Sequence, residues 1–498
     1  MSKHDAQRRR LTLAFGAGLL GGLAAPLSAV ATCTPDTGWA DQLRRDLNAM
    51  AAQLTRTLKQ WPVPARVFQP ESYGLDRKLC TAAIQRAVDV CAAAGGGTVR
   101  LSHGDYVSGT IVLRSGVMLE VTAGARLLAS TNLRDYPEHV ARRPTVQDSN
   151  MGMNQSLIFA EGCERIGICG KGMIYGRGTM DNFPGEETTG GTPGRPFLIR
   201  ILDSSHVVVR DIQLKDSPCW MQNYFNCEDL LIDGIHVENQ ANHNNDGLDI
   251  DGCRRVIVRN TYINAEDDAM CFKGASQRPT ENVLIENSEF YSSCNALKFG
   301  TDSQGDFRNV LVRNVKLGGA STEMRSLQRR KADGGISWET VDGGTVERVL
   351  VHDAHIVRSE SPLFLRLGDR GRVRPEQKRP AAGALRYIVF DRIHGQDNGM
   401  RGSYFTGTPS RAIEHVLLRD IDLTIAPATG PAADPAQIPE DPAGYPDPHM
   451  YSKVMPAYGL WVRHIRQLDL QRVRIAVAGK DSRPQFLAGP DVEGVCGI

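Results

Sequence analysis

Residues 244–274, NNDGLDIDGCRRVIVRNTYINAEDDAMCFKG, combine short alternating apolar runs with six acidic side chains. The run VIVRN at 256–260 alternates with period two and ends on Asn, which reads as a strand followed by a turn. The same signature recurs as VVVRD at 207–211, LLIDG at 230–234, VLIEN at 283–287 and VLVRN at 310–314. With longer insertions it continues as VLVHD at 349–353, YIVFD at 387–391, VLLRD at 416–420 and LDLQR at 468–472, and earlier echoes are RIGICG at 165–170 and VMLEV at 117–121. No helical period separates the units, which argues against an alternating βα sheet or barrel. Short strands that bury a core only by stacking on their neighbours predict a right-handed parallel β-helix, an all-β solenoid.

Outward from the repeats, Trp39, Leu43, Leu47, Met50, Leu54, Leu58 and Trp61 recur at three- to four-residue spacing within 36–61, an amphipathic helix expected to pack on the solenoid. A second helix is expected over 79–94, ended by Gly95, Gly96 and Gly97, as the cap of the open N-terminal coil. Residues 426–449, rich in Pro, Ala and Asp, read as a long surface loop. Arg8, Arg9 and Arg10 precede the soft apolar run LTLAFGAGLLGGLAAPLSAVA, which resembles a twin-arginine export signal cut near Ala31. The expected organisation is therefore 1–31 export signal, 32–66 helical extension and 67–498 β-helix, in the periplasm or secreted, with no membrane span in the mature chain. An ordinary secretory signal, an uncleaved anchor and lipid attachment at Cys33 are the competing readings.

The 498 residues are 41% hydrophobic and 23% charged, ordinary globular values. Lys plus Arg number 58 against 57 acids, so the net charge of +1 gives no reason to expect nucleic acid as a partner. Eleven cysteines lack CxxC spacing and give no zinc or redox motif. Cys163, Cys169, Cys227, Cys253, Cys271 and Cys294 lie in or beside the repeats, where a free thiol behaves as a small buried hydrophobe.

Asp246 stands about one coil before Asp267 and Asp268, and one coil of a β-helix becomes a neighbouring strand about 4.8 Å away. The three carboxylates are therefore expected on one face, where like charges raise at least one pKa and leave one acid protonated beside one ionised. That division suits glycosidic cleavage by an acid and a water-activating base. Asp233, Asp249 and Asp251 read instead as turn chemistry. Clustered carboxylates on such a fold also admit a calcium-dependent lyase.

At these residues the chain resembles the polygalacturonase family, glycoside hydrolase family 28. The family's N-T-D motif corresponds to Asn244-Asn245-Asp246 and its D-D motif to Asp267-Asp268 in AEDDAMCFKG. The segments AAIQRAVDVCAAAGGGTVRLSHGDYVSGTIVLRSGVMLEVTAGARLLAS and RPFLIRILDSSHVVVRDIQLKDSPCW extend the likeness, which covers roughly residues 67–480. It implies Asp267 as general acid, Asp246 and Asp268 as holders of the attacking water, inversion of configuration, no cofactor or metal, and a pectin-related polysaccharide or oligosaccharide of galacturonan or rhamnogalacturonan type as substrate.

The chain departs from the family where cations are expected. The G-H-G motif falls at Cys294-Asn295-Ala296, and R-I-K falls at Ser337-Trp338-Glu339. Asn295 then stands where the family has histidine. Lys273, in the strand after the acids, and Lys298 are candidate substrate-binding cations, with a solvated edge charge as the rival reading. Asn295 and Lys298, three apart, are expected on opposite faces of a strand. Arg366 and Arg370, and an insertion carrying Arg325, Arg329, Arg330 and Lys331, are further candidates. Trp220 is either a sugar-stacking platform or a buried core residue. Loss of the family cations also motivates a non-catalytic carbohydrate-binding β-helix.

Overall fold

The computed structural model describes residues 37–58, 63–144, 154–185, 194–320, 331–373 and 377–497. The export segment, Cys33, Trp61, Arg325, Arg329 and Arg330 lie outside the described residues. Parallel strands stack coil on coil into a 20-stranded sheet that bends around two faces and a 12-stranded sheet that forms another, the right-handed parallel β-helix expected from the repeats.

The repeat explains its own geometry. In units such as VIVRN the first and third residues enter one continuous core: Val256 stacks on Val283, Val310 and Val349, while Val258, Ile285 and Val312 form the adjacent ladder. The fifth residue turns the corner in the left-handed region, at φ 52° for Asn260, 52° for Asn287 and 50° for Asn314. Asn reaches that conformation more readily than most residues, and here the Asn314 amide donates to Asn287 Oδ1 at 2.7 Å, tying one corner to the next.

Between those two, one residue per unit, from Val208 in the unit at 207–211 to Leu417 in the unit at 416–420, faces outward yet is also apolar. Helix α1, Gly38–Thr57, supplies the reason. Its Leu43, Leu47, Ala51 and Leu54 cover a stripe of one side chain per coil, Val208, Leu231, Ile257, Leu284, Leu311, Leu350, Val389 and Leu417. Arg348 of the sheet reaches Asp46 of the helix at 2.9 Å beside this seam. Helix α2, Thr81–Ala93, buries Ile84, Ala87, Val88 and Cys91 against the first coil and covers the end of the core. Gly96 lets the chain turn back onto the sheet: its φ is 102°, and a Cβ there would meet the carbonyl oxygen of Gly116 at 2.6 Å.

Among the described residues no helix is long and apolar enough to cross a membrane. Among the described residues, nine cysteines are free thiols. Residues 426–449, read from sequence as a surface loop, continue to 459 without a strand and pack over the outer face of the 12-stranded sheet. There Met455 and Ala457 join Phe364, Tyr404 and Trp461 in a separate apolar cluster.

Candidate functional site

The outer face of the 12-stranded sheet carries a polar row, because alternate residues of every strand point away from the core. Asp249 of strand Leu248–Asp251 is in register with Cys271 of Met270–Lys273, then with Lys298 of Asn295–Phe299 and Ser337 of Ala332–Thr340. Further along lie Phe364 of Ser359–Leu367 and Tyr404 of Ser403–Thr406. The carboxylates rise from the turns that lead into these strands.

Asp246 and Asp268 open adjacent strands, tied by Gly247 N donating to the Asp268 carbonyl at 2.9 Å, and Ala269 N continues to the Asn295 carbonyl at 2.9 Å. The side chain of Asn245 explains why the turn before Asp246 is rigid. Its amide donates to the Ser217 and Cys219 carbonyls, both at 2.9 Å, while its oxygen accepts from Ala241 N and Asn242 N at 3.0 and 2.7 Å.

The acids divide into unlike environments. Lys298 Nζ lies 3.1 Å from Asp268 Oδ2, and Asn295 Nδ2 donates to Asp268 Oδ1 at 2.9 Å. Burial alone would raise this carboxyl, but Lys298, Lys273 and the Asn295 amide together hold it below its ordinary value, so Asp268 is ionised. Asp267, next in the chain and more exposed, accepts from Asp268 N at 2.9 Å. Burial and the neighbouring negative charge of Asp268 push its pKa up. Asp246 is buried and raised well above the ordinary range, first by burial and then by Asp249. Lys273 Nζ sits 3.2 Å from Asp246 Oδ2 and 3.2 Å from Asp249 Oδ1. One acid that keeps its proton, Asp267, therefore stands beside one that has lost it, Asp268.

Several sequence expectations need correction. Asp249, read as turn chemistry, is fully buried against Lys273 and Asp246; the signal for it was the alternation Leu248-Asp249-Ile250-Asp251, which puts it on the outward face. Asp251 does serve the local backbone, accepting from Ala275 N and Ser276 N at 3.0 Å each. Lys273 is no open cation for substrate, since both of its carboxylate partners are internal. Its ammonium also lies 4.3 Å from the centre of the Trp220 ring. Trp220 is 5% exposed and packs edge-on against Phe197, so the stacking-platform reading gives way to the buried one. Arg366 is likewise unavailable. It is fully buried and donates to Thr406 Oγ1, to Tyr451 Oη and to the carbonyls of Gly407, Glu440 and Asp441, pinning the 426–459 segment to the sheet.

Asn295 and Lys298 do lie at the site, and both reach Asp268 despite their three-residue spacing, because Asn295 opens its strand as the chain leaves a turn. Ser337 Oγ donates to Asn295 Oδ1 at 2.8 Å and fixes which way that amide points. Glu339 is fully buried, and burial pushes its pKa well up, so it is neutral.

The 426–459 segment adds residues that sequence reading left out. Tyr445, 55% exposed, lies 5.8 Å from Lys298 Nζ and 5.7 Å from the Arg370 guanidinium. His449 bridges Asp447 and Asp333 at 3.1 Å each, and Tyr404 Oη donates to the Pro448 carbonyl at 2.7 Å. Only the tertiary contact could reveal these, since the segment has no repeat to place it.

Among the described residues, Asp267, Asp268 and Cys294 bring carboxylate and thiol atoms within 4.8 Å of one another. Calcium takes six to eight oxygen ligands. A thiol and a carboxylate already held by Lys298 do not supply them, so this cluster does not fit the ion a lyase would need.

Comparison with known proteins agrees with the geometry. Residues 105–360, just over half of the chain, match the profile described as Glycosyl hydrolases family 28. A polygalacturonase of Ralstonia solanacearum is 25% identical over 403 residues, covering 66% of this chain and 75% of that one. A polygalacturonase of Ralstonia nicotianae is 26% identical over 328 residues, covering 56% of this chain but only 60% of its own length. In fold, the chain is similar to an exopolygalacturonase from Thermotoga maritima, with TM-score 0.65 at 17% identity over 86% of this chain and 96% of that one. It is also similar to a family 28 exopolygalacturonase from Yersinia enterocolitica, with TM-score 0.64 at 16% identity over 86% and 78%. With the β-helix, the paired aspartates and the family profile in agreement, this chain belongs to glycosyl hydrolases family 28.

Proposed function

We propose that this protein is an exported hydrolase of pectin-related polysaccharide that inverts the anomeric centre and works from a chain end. The observation that carries the hydrolase reading is the opposite protonation of two adjacent acids: Asp267 pushed up, Asp268 held ionised by Lys298 and Asn295. Asp267 delivers its proton to the leaving glycosidic oxygen. Asp268 and Asp246, on neighbouring strands about 4.8 Å apart, grip the attacking water from two sides. As the bond from the anomeric carbon to the leaving oxygen breaks, a lone pair of the water forms the new bond to that carbon, and the water's proton passes to Asp246 while Asp268 holds the water in place.

Support for action at a chain end comes from the 426–459 segment. Arg366, Tyr404 and His449 fasten it over the sheet beyond Asp268, where it covers the outer face on one side of the acids. An outer face covered on one side of the acids favours a chain terminus over a chain interior. Two of the structural neighbours are described as exopolygalacturonases, which agrees with this reading.

The test is product analysis on polygalacturonate, rhamnogalacturonan and their oligomers, with the anomer of the first product followed by NMR. Release of mono- or disaccharide with inverted configuration is expected from one of them. Tight binding without any product across the acidic and neutral range would leave a carbohydrate-binding module as the surviving reading, and unsaturated, ultraviolet-absorbing products would mean a lyase.

A further inference from the structure

Asp246 is not alone in its pocket. Lys273 Nζ stands equidistant, at 3.2 Å, between Asp246 Oδ2 and Asp249 Oδ1, and the aromatic face of Trp220 roofs the ammonium at 4.3 Å. All four side chains are buried. Neither oxygen of Asp249 finds a hydrogen-bond partner of good geometry, and the second oxygen of Asp246 also lacks one. An ammonium held by two carboxylates, away from water and against an aromatic ring, is more than a core ion pair needs. A single carboxylate would already neutralise it.

We propose that Asp249 and Lys273 are positioning residues for the hydrolysis, a buried pair that fixes the orientation of Asp246 toward the attacking water and sets the pH at which Asp246 can accept that water's proton. This rests on the hydrolase reading above for its consequence in turnover, though not for its physical basis. Two carboxylates face one ammonium, so the trio binds one proton more readily than two separate aspartates would. Burial pushes Asp249 up to about 7 despite Lys273. Burial raises Asp246 as well, so the two carboxyls share a proton beside the ammonium, and Asp246 is ionised and able to accept whenever that shared proton sits on Asp249. On turnover a lone pair of the water oxygen bonds to the anomeric carbon as the glycosidic C–O bond breaks, and the proton released from that water enters the Asp246–Asp249 pair. Asp267 has meanwhile given its own proton to the leaving oxygen, so the site ends with the protons it began with, redistributed, and solvent exchange resets them.

The other charged groups that face Asp246 are Asp267 and Asp268 from the turn on the neighbouring strand, and both oppose its ionisation. Asp268 also faces Asp249 and Lys273, opposing the ionisation of the first and holding the charge of the second. Against this fixed background the two partners of Asp246 act with opposite sign. Removing the negative charge of Asp249 makes Asp246 easier to ionise, and removing the positive charge of Lys273 makes it harder.

The experiment compares wild type, Asp249→Asn, Lys273→Met and the double variant. It records kcat and KM across pH on the best substrate, melting temperature, and difference infrared titration of buried carboxyls without substrate. In Asp249→Asn the acid limb of kcat should move to lower pH, and in Lys273→Met to higher pH, each by at least about one pH unit, the size of a single charge effect at this range. The double variant should return toward the wild-type limb, with KM little changed throughout. A purely structural role would lower melting temperature and kcat together without moving the limbs in opposite directions, and that result overturns the proposal. If Lys273→Met fails to fold, Asp249→Asn and the double variant still decide it. If no substrate is turned over, the hydrolase reading fails first. The infrared arm then decides the pair by itself: an Asp246 band, assigned with Asp246→Asn, that titrates identically in wild type and Asp249→Asn refutes it.

Discussion

Asp267→Asn removes one proton from the site and little else. The carboxyl oxygen Oδ1 accepts the Asp268 amide at 2.9 Å, and the amide oxygen of Asn can accept the same bond in the same shape. Fold and oligosaccharide affinity are therefore expected to survive. Proton transfer by a positioned acid contributes about 100- to 10,000-fold to rate, or about 3 to 5 kcal/mol of transition-state stabilisation. Turnover should fall by that factor in initial-rate assays by reducing-sugar release, with KM and melting temperature unchanged. The pH profile gives a second handle. Burial and the charge of Asp268 raise Asp267, so wild-type activity should persist until pH rises through that raised value and the acid is lost. Asp268 is held low by Lys298, Lys273 and Asn295 against burial, so its hold on the water as a carboxylate should fail only as pH falls through its lower value. The double variant Asp267→Asn, Asp268→Asn should be barely slower than either single one, because groups acting in one step are not additive. A folded Asp267→Asn protein that keeps near wild-type kcat would refute this assignment and leave the aspartates as corner residues.

His449→Gln tests the fastening of the 426–459 segment. Its hydrogen bond to Asp447, with Asp333 opposite, raises the His449 pKa, so its stabilisation is complete below the ordinary value of about 6.5 and is lost as pH rises through the folded value. The wild-type melting temperature should decline across that window and the variant's should not; parallel curves would exclude the clamp. Leu47→Ala should cost about 2 kcal/mol in a urea titration, the low end for a buried Leu, because α1 lies on the outside of the solenoid and its cavity can partly collapse. An unchanged midpoint would mean that α1 does not dock in solution. Arg9→Lys with Arg10→Lys should abolish export of the full precursor, judged by fractionating cells; undiminished export would remove the twin-arginine reading.

Strand period and corner chemistry are local properties, and for that reason they were legible in the sequence. VIVRN, VLIEN and VLVRN specify a core-facing pair and a left-handed corner within five residues, so their repetition determined the β-helix. The adjacency of Asp246 to Asp267 and Asp268 followed from the same repeat, because one coil of chain becomes one step between strands. The middle apolar residue of each unit was visible too, but its partner was not: that stripe is covered by a helix more than 150 residues away in the chain from its first member, Val208. Tertiary structure alone decided who holds each charge. Lys273 and Lys298 looked like free cations for an acidic substrate, and only the packing of neighbouring strands showed Lys273 between Asp246 and Asp249 and Lys298 against Asp268. Arg366, Tyr445 and His449 acquired their places from a 426–459 segment with no period to read. A charge in a sequence has no distance attached to it; its pKa and its availability depend on what folds to within a few ångströms, and here those partners come from other coils.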